Sequence, residues 1–502
     1  MSFIKKYYIE ILLVLIILGV AAYSLFYLTT KPRLWTDEAF GIEVAKNFLL
    51  YGRLDLMMAP QVFTGSPFLA QANGYPMTMA LAGFFKIFGF GLIQARMFTL
   101  FLMIACLLVV FWFTKKLFNK KYAVLAVLLV VSLPAFYASG RCVTGEITGF
   151  IFLIIGLGLF FRYFLSENGK NLIKIKDILA GLFFGLAIFS KPSVYTMVLP
   201  AVIVALLFER RQFLKRTLAM FLGIAVPALG WIMLNVPNFL TKESWIRIAE
   251  YYKNPYAPLL VSDNMRENLI NLSHNFTLFH FFVLLAVVLF ILFEKSDFLK
   301  QQKGLAAFFI SYEILAFIYF FRSPGWLRYL VAAQLLIFVF LSPAINAIWG
   351  LLKNKVFFSR FKISPVYPIV IFLVCFQTFY LLTRADIFYS DNPQRVIQFI
   401  ERYSSEKTIG IYNSITISCL MSHEKRYQMI NSISGFEVLG KDFLLVEDVN
   451  QPDVIIATLN EPLIKLHEKT IQSKYEKVET IGPYVIYELK SGRTDPKKDL
   501  IK

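Results

Sequence analysis

The residues best suited to chemistry in this sequence are charged side chains at the ends of long apolar runs. Asp37 and Glu38 lie in Trp35-Thr36-Asp37-Glu38-Ala39, just past the first run. Arg141 and Glu146 lie in Ser139-Gly140-Arg141-Cys142-Val143-Thr144-Gly145-Glu146, Lys191 in Phe189-Ser190-Lys191-Pro192, and Arg328 with Tyr329 in Gly325-Trp326-Leu327-Arg328-Tyr329. Ionised groups are costly to hold beside hydrocarbon, so each points to a task or a partner. A carboxylate can take a proton from a nucleophile, and Arg or Lys can steady a departing phosphate. The set suits a displacement with a phosphate leaving group at a membrane surface.

Each residue also has a plainer reading. The helix dipole favours acidic residues in a first turn, and Thr36 is placed to cap a helix begun after Pro32 stops the previous one. Helix neighbours point about 100° apart, so only one of Asp37 and Glu38 faces a reacting centre. Arg141 and Glu146 would stand about 140° apart on one ideal helix, and Arg141 can snorkel while Glu146 serves as a structural partner. Pro192 breaks a helix and should leave Lys191 exposed at an outer mouth, where it too can snorkel.

The elements that must position these groups are membrane helices. The chain has 502 residues, 57% of them hydrophobic, with 52 Phe and 25 Tyr, against roughly 45–50% apolar in soluble chains. Apolar spans fall near 7–29, 94–114, 122–138, 145–164, 178–190, 193–208, 217–235, 275–293, 305–321, 329–349 and 365–382. Basic clusters separate them: Lys115, Lys116, Lys120 and Lys121; Arg210, Arg211, Lys215 and Arg216; Lys353, Lys355, Arg360 and Lys362. Placing these clusters inside gives about eleven crossings, a cytoplasmic N-terminus and an extracytoplasmic C-terminus. Residues 77–92 break that alternation and are expected to lie in the outer interface. Residues 37–50, with Phe40, Val44 and Phe48 at i+4 spacing, are expected to rest an apolar face on lipid. On this topology Asp37, Glu38, Arg141, Glu146, Lys191, Arg322 and Arg328 share one face. A non-enzymatic transporter or receptor is a further alternative; a transporter would place ionisable groups near the midplane within repeats, which disfavours it.

The expected domains are 1–383, a membrane domain with a large first external loop (30–93), and 384–502, a small α/β domain with a disordered tail. In the second, strands are expected near 408–412, 454–457 and 484–489, with helices near 421–430 and 463–475. The net charge of +18 is spread over short inter-span clusters, which fits topology rather than a nucleic-acid face. Cys106, Cys142, Cys375 and Cys419 make neither a C-x-x-C nor a disulfide framework. His274 and His280 are six apart, the wrong spacing for an i, i+4 metal pair, so no metal ligand is assigned.

The Trp35-Thr36-Asp37-Glu38-Ala39 loop, the segment from Pro76 to Gly89, the Phe189-Ser190-Lys191-Pro192 break and Arg328-Tyr329 resemble, in that order, bacterial GT-C glycosyltransferases. The nearest groups are the protein O-mannosyltransferase and aminoarabinose transferase families. The resemblance covers roughly residues 1–350 and implies a polytopic α-helical fold of the GT-C type. It also implies transfer of a sugar from a polyprenyl-phosphate carrier to an acceptor on the outer face, with inversion. Asp37 takes the family's base position, with Glu38 supporting; Arg141 and Glu146 take the second-loop position; Lys191 and Arg328, with Tyr329, would hold the carrier phosphate. The implied partners are the lipid-linked sugar donor, a lipid, glycan or protein acceptor, and the membrane, with no nucleic acid and no certain cofactor; a divalent metal is not indicated. Asn73-Gly74-Tyr75-Pro76 departs from the His or Lys with a Pro pair that family members often carry there. A glycan polymerase or ligase using a polyprenyl-diphosphate donor would share the same cations and is the runner-up.

Overall fold

A computed structural model of the chain describes residues 2–59, 61–65, 74–161, 172–209, 213–236, 241–253, 261–274, 284–285, 288, 303–322, 327–353, 364–384, 389–403, 407–412, 414–421, 426–429, 452–459 and 468–490. It opens with α1 (Ser2–Phe26), α2 (Thr36–Tyr51), a hairpin of β1 (Met57–Ala59) and β2 (Val62–Phe63), and α3 (Tyr75–Phe88). Then come α4 (Leu92–Leu117), α5 (Lys120–Ser132), α6 (Pro134–Gly140), α7 (Gly145–Phe160), α8 (Leu172–Ser190), α9 (Pro192–Tyr195), α10 (Val198–Glu209) and α11 (Phe213–Asn235). After α12 (Lys242–Lys253) and α13 (Val261–His274), the helical part closes with α14 (Lys303–Arg322), α15 (Val331–Lys353) and α16 (Val366–Arg384).

The chain is a polytopic helical membrane protein. Six described helices are long and apolar enough to cross a bilayer, or seven if α5 and α6, bent by 70° at their junction, form one span. About eleven crossings were expected. The shortfall has physical causes: α7 is a shorter apolar helix, α9–α10 is another, and α8 carries Lys174, Lys176 and Asp177. The expected spans other than 275–293 coincide largely with described helical backbone, although 27–29 are turn and 162–164 lie outside the described residues; 275–293 lies almost wholly outside them.

Small residues allow the tightest helix approach. A Cβ at Gly181 of α8 would sit 2.0 Å from the Met220 carbonyl oxygen, and one at Gly223 of α11 would sit 2.0 Å from that of Ile178. Such close approach is how membrane helices gain packing without a hydrophobic drive between them. Nearby, Arg216 donates to both Asp177 oxygens at 3.0–3.2 Å and to the Phe160 carbonyl at 2.9 Å, closing the end of α7.

The first loop has its own core, with Leu34, Ala39, Phe40, Ile42, Val44, Leu81 and Phe85 all buried. This overturns the expectation that 37–50 rests on lipid. Residues 38–47 of α2 are buried throughout, including Glu38, Glu43, Lys46 and Asn47. A helix buried on its polar face as well must be covered by protein there. Asp55 organises the hairpin, accepting from Leu56 N at 2.7 Å, from Gly65 N at 2.8 Å and from the Thr64 hydroxyl. Residues 77–88 are helical within α3, and Gly89, at a positive φ of 79°, ends that helix before α4.

After α16, the chain forms α17 (Asn392–Ile400), β3 (Ile409–Tyr412), α18 (Ile415–Ser418), β4 (Arg426–Met429), β5 (Val454–Thr458), α19 (Glu468–Lys474), β6 (Tyr475–Ile481) and β7 (Tyr484–Leu489). The strand order is β4-β3-β5-β7-β6, with β4, β3 and β5 parallel and β7 and β6 antiparallel. The three expected strands are present. The helix expected at 421–430 is not: residues 426–429 form an edge strand paired with β3. A strand at 475–481 went unread because its pattern is mostly exposed, a sheet edge with one solvated face. The tail from 491 lies outside the described residues.

Candidate functional site

Helix ends gather the charged groups. Asp37 is in the first turn of α2, whose N-cap position is taken by Trp35, not Thr36, with no side-chain cap. Arg328 sits in a short 3-10 turn, Leu327–Leu330, that leads into α15. The Arg328 guanidinium donates to Asp37 Oδ2 at 2.5 Å, though 291 residues separate them. Its Cζ lies 4.8 Å from the Trp35 ring centroid and 5.5 Å from that of Tyr329. Tyr329 is buried and meets Tyr319 edge-on at 5.8 Å. Aromatic faces on two sides restrict the guanidinium plane and leave its charge aimed at the mouth. The side chains of Asp37 and Arg328 keep 23% and 12% exposure, so this pair is open to a ligand.

A second pair lies deeper. Lys191 Nζ is 3.8 Å from Glu146 Oε1, with both side chains almost fully buried. This corrects the expectation of an exposed Lys191: Pro192 does interrupt the helix, but the break folds inward. Two glycines make that possible. Gly74 donates its N–H to the Ser190 carbonyl at 3.0 Å, and a Cβ on Gly74 would fall 1.4 Å from the Phe189 carbonyl oxygen. On the other side a Cβ on Gly145 would fall 1.9 Å from the Ser190 carbonyl oxygen and 3.2 Å from Lys191 Cβ. Glu146 is itself held through its carbonyl, which accepts from the buried Tyr195 hydroxyl. Glu146 also lies within electrostatic reach of Arg328. Asp37, Arg328, Glu146 and Lys191 thus form one row of alternating charge.

Glu38 and Arg141 do not join that row. Glu38 points away from Asp37 and is fully buried against Arg96, which donates from Nε to Oε1 at 2.9 Å and from Nη2 to Oε2 at 2.8 Å. Arg96 also donates to the Leu28 carbonyl at 2.9 Å. The supporting role expected for Glu38 is therefore a structural one: it ties α2 to α4. Arg96 was missed, although a lone Arg at the head of an apolar span was a legible signal. Arg141 is buried between α6 and α7, donates from Nη2 to the Ser24 carbonyl at 2.8 Å and stands 5.7 Å over the Tyr23 ring. Burial first, and then Arg96, lower its pKa to about 10. The Arg322 side chain lies outside the described residues.

Among the described residues no three His, Cys, Asp or Glu side chains gather as a metal centre needs. Asp37 at the mouth and Glu146 deeper each face a cation, Arg328 and Lys191.

The helical membrane scaffold, with Asp37–Arg328 and Lys191–Glu146 gathered at one set of helix ends, has a fold similar to that of solved membrane transferases of the GT-C type. Residues 76–233 match the family model described as dolichyl-phosphate-mannose-protein mannosyltransferase. The fold is similar to that of ArnT from Cupriavidus metallidurans bound to undecaprenyl phosphate, with a TM-score of 0.59 and 13% identity over 94% of this chain and 97% of that one. It is also similar to the oligosaccharyltransferase AglB from Archaeoglobus fulgidus in complex with an inhibitory peptide and a dolichol-phosphate, with a TM-score of 0.56 and 12% identity over 93% and 71% of the two chains. No curated protein sequence matches the chain. The chain thus resembles the aminoarabinose transferase and mannosyltransferase groups of GT-C enzymes.

Proposed function

We propose that this protein transfers a sugar from a polyprenyl-phosphate carrier to a lipid, glycan or protein acceptor at the extracytoplasmic face of the cell membrane, with its N-terminus cytoplasmic. Asp37 takes the proton from the acceptor nucleophile. The nucleophile bonds to the anomeric carbon from the face opposite the carrier, inverting it. The carbon–oxygen bond to phosphate breaks, and its electron pair leaves on the phosphate. Arg328 meets that developing charge directly, and Lys191 supports it from below while Glu146 offsets its buried charge. The observation that carries this reading is the half-open Asp37–Arg328 pair, which puts a carboxylate and a phosphate-binding cation 2.5 Å apart at the mouth.

The test is Asp37→Asn in the purified full chain, assayed with a panel of polyprenyl-phosphate monosaccharides. Transfer should vanish while expression and melting temperature stay as in the wild type; full activity would refute the assignment. Turnover of oligosaccharide on polyprenyl diphosphate, with none from the monosaccharide carriers, would favour the polymerase or ligase reading.

A further inference from the structure

The helix that carries Asp37 is gripped at both ends of its loop by the α/β region more than 350 residues away. Lys46, on α2, is only 1% exposed; its ammonium donates to the Met421 carbonyl and sits 5.0 Å from the Phe90 ring centroid. Just before α2, Gln394 Nε2 donates to the Thr29 carbonyl at 2.8 Å, and Ser390 N donates to the Thr30 carbonyl at 3.2 Å. Between these points Ile415 and Cys419 are buried in the same apolar cluster as Ala39, Phe40 and Ile42.

We infer that the α/β region is a clamp that sets the position of Asp37, with Lys46 as the positioning residue. This rests on the reading of Asp37 as the base. Lys46 lies nine positions after Asp37, about 14 Å along a helix that transmits displacement with little bending. Plain packing would have been served by Met or Leu at position 46. A buried ammonium costs desolvation, which is offset only when its partner sits at one distance and direction. A buried polar contact therefore fixes one docking register where an apolar contact would allow sliding. The Thr29 and Thr30 contacts fix the other end, so α2 can neither slide nor turn to swing Asp37 away from Arg328.

The test compares Lys46→Met and Lys46→Arg in the full chain, with Gln394→Ala as an independent lesion should Lys46→Met fail to fold. Hydrogen exchange of amides 36–51 should rise ~10-fold or more in Lys46→Met, the loss of one charge-assisted hydrogen bond, with amides of α7 and α8 unchanged. Lys46→Arg should restore the wild-type rate. Gln394→Ala should raise exchange over 29–38 in the same local way. Turnover of the polyprenyl-phosphate sugar should fall about as far in Lys46→Met, while affinity for undecaprenyl phosphate stays within ~2-fold, because the clamp acts on the base and not on the phosphate cations. Unchanged exchange, a rise spread evenly over the whole chain, or no rescue by Arg would overturn the clamp. If the wild type turns over no polyprenyl-phosphate sugar, the functional reading fails while the exchange pattern still decides the clamp.

Discussion

Neutralising Glu38 should cost folding stability and leave the chemistry in place. Arg96 donates to both Glu38 oxygens at 2.8–2.9 Å, and neither side chain has any exposed surface. Removing one partner of such a pair strands the other charge and costs ~3–5 kcal/mol. Glu38→Gln keeps one acceptor oxygen for Arg96, so the lower end, ~3 kcal/mol, applies. Arg96→Met also frees the Leu28 carbonyl and should fall higher in the range. The double variant Glu38→Leu with Arg96→Met leaves no stranded charge and should be less damaged than Glu38→Leu or Arg96→Met alone, a coupling that a double-mutant cycle over these four proteins reads directly. The assay is thermal unfolding of the purified protein in detergent, followed by transfer measured below the melting point of every variant. Folded Glu38→Gln should keep transfer within a few-fold of wild type. A Glu38→Gln protein that melts normally but is inactive would refute the structural role and return Glu38 to the reacting centre.

Gly145→Ala should destabilise the protein and impair transfer, because its Cβ would meet the Ser190 carbonyl oxygen at 1.9 Å and push the break away from Glu146; Gly83→Ala, with nothing within 4 Å, is the control, and equal melting of the two would sink the argument. Asp37→Asn should bind undecaprenyl phosphate ~10-fold more tightly than wild type while remaining inactive, since the ligand no longer competes with Asp37 for Arg328; weaker binding would count against the shared guanidinium. Burial, outweighing its hydrogen bonds, raises the pKa of Asp55, so the folded loop holds that proton more tightly than the unfolded chain does. Stability should therefore fall as pH rises from the ordinary carboxylate range through the raised value. Asp55→Asn should remove that dependence from a melting-temperature profile, and a profile that keeps its slope in Asp55→Asn would disprove it.

The helical membrane architecture was legible in the sequence because apolar spans and basic clusters are local signals. The placement of Lys191 was not: Pro192 announces the break, but the inward fold depends on Gly74 and Gly145 receiving the backbone of 189–191, and neither is near it in sequence. The burial of α2 was hidden for the same reason. Its i+4 apolar spacing is what an interfacial helix would show, and the partners of its polar face, Arg96 and the Met421 carbonyl, come from distant elements. The role of Glu38 as a strut comes from its pairing with the distant Arg96. Sequence adjacency to Asp37 says only that the two diverge by about 100°, not which way each one faces.

The row Asp37, Arg328, Glu146 and Lys191 balances two carboxylates against two cations, and that balance bears on the order of events. A phosphate arriving at a free cation cluster would bind strongly and leave slowly. Here every cation already has a carboxylate within 4 Å or in direct hydrogen bond, so donor phosphate gains only the difference between itself and the resident acid. The exchange is cheapest at Arg328, whose partner Asp37 is the most exposed member of the row. It is dearest at Lys191, where Glu146 would be stranded in the interior. On the proposed mechanism phosphate would take Arg328 first, and in doing so would release the Asp37 carboxylate towards the acceptor. On that mechanism the contact that keeps Asp37 occupied in the resting protein would make it available once the leaving group is in place, so base and leaving-group assistance would be engaged together.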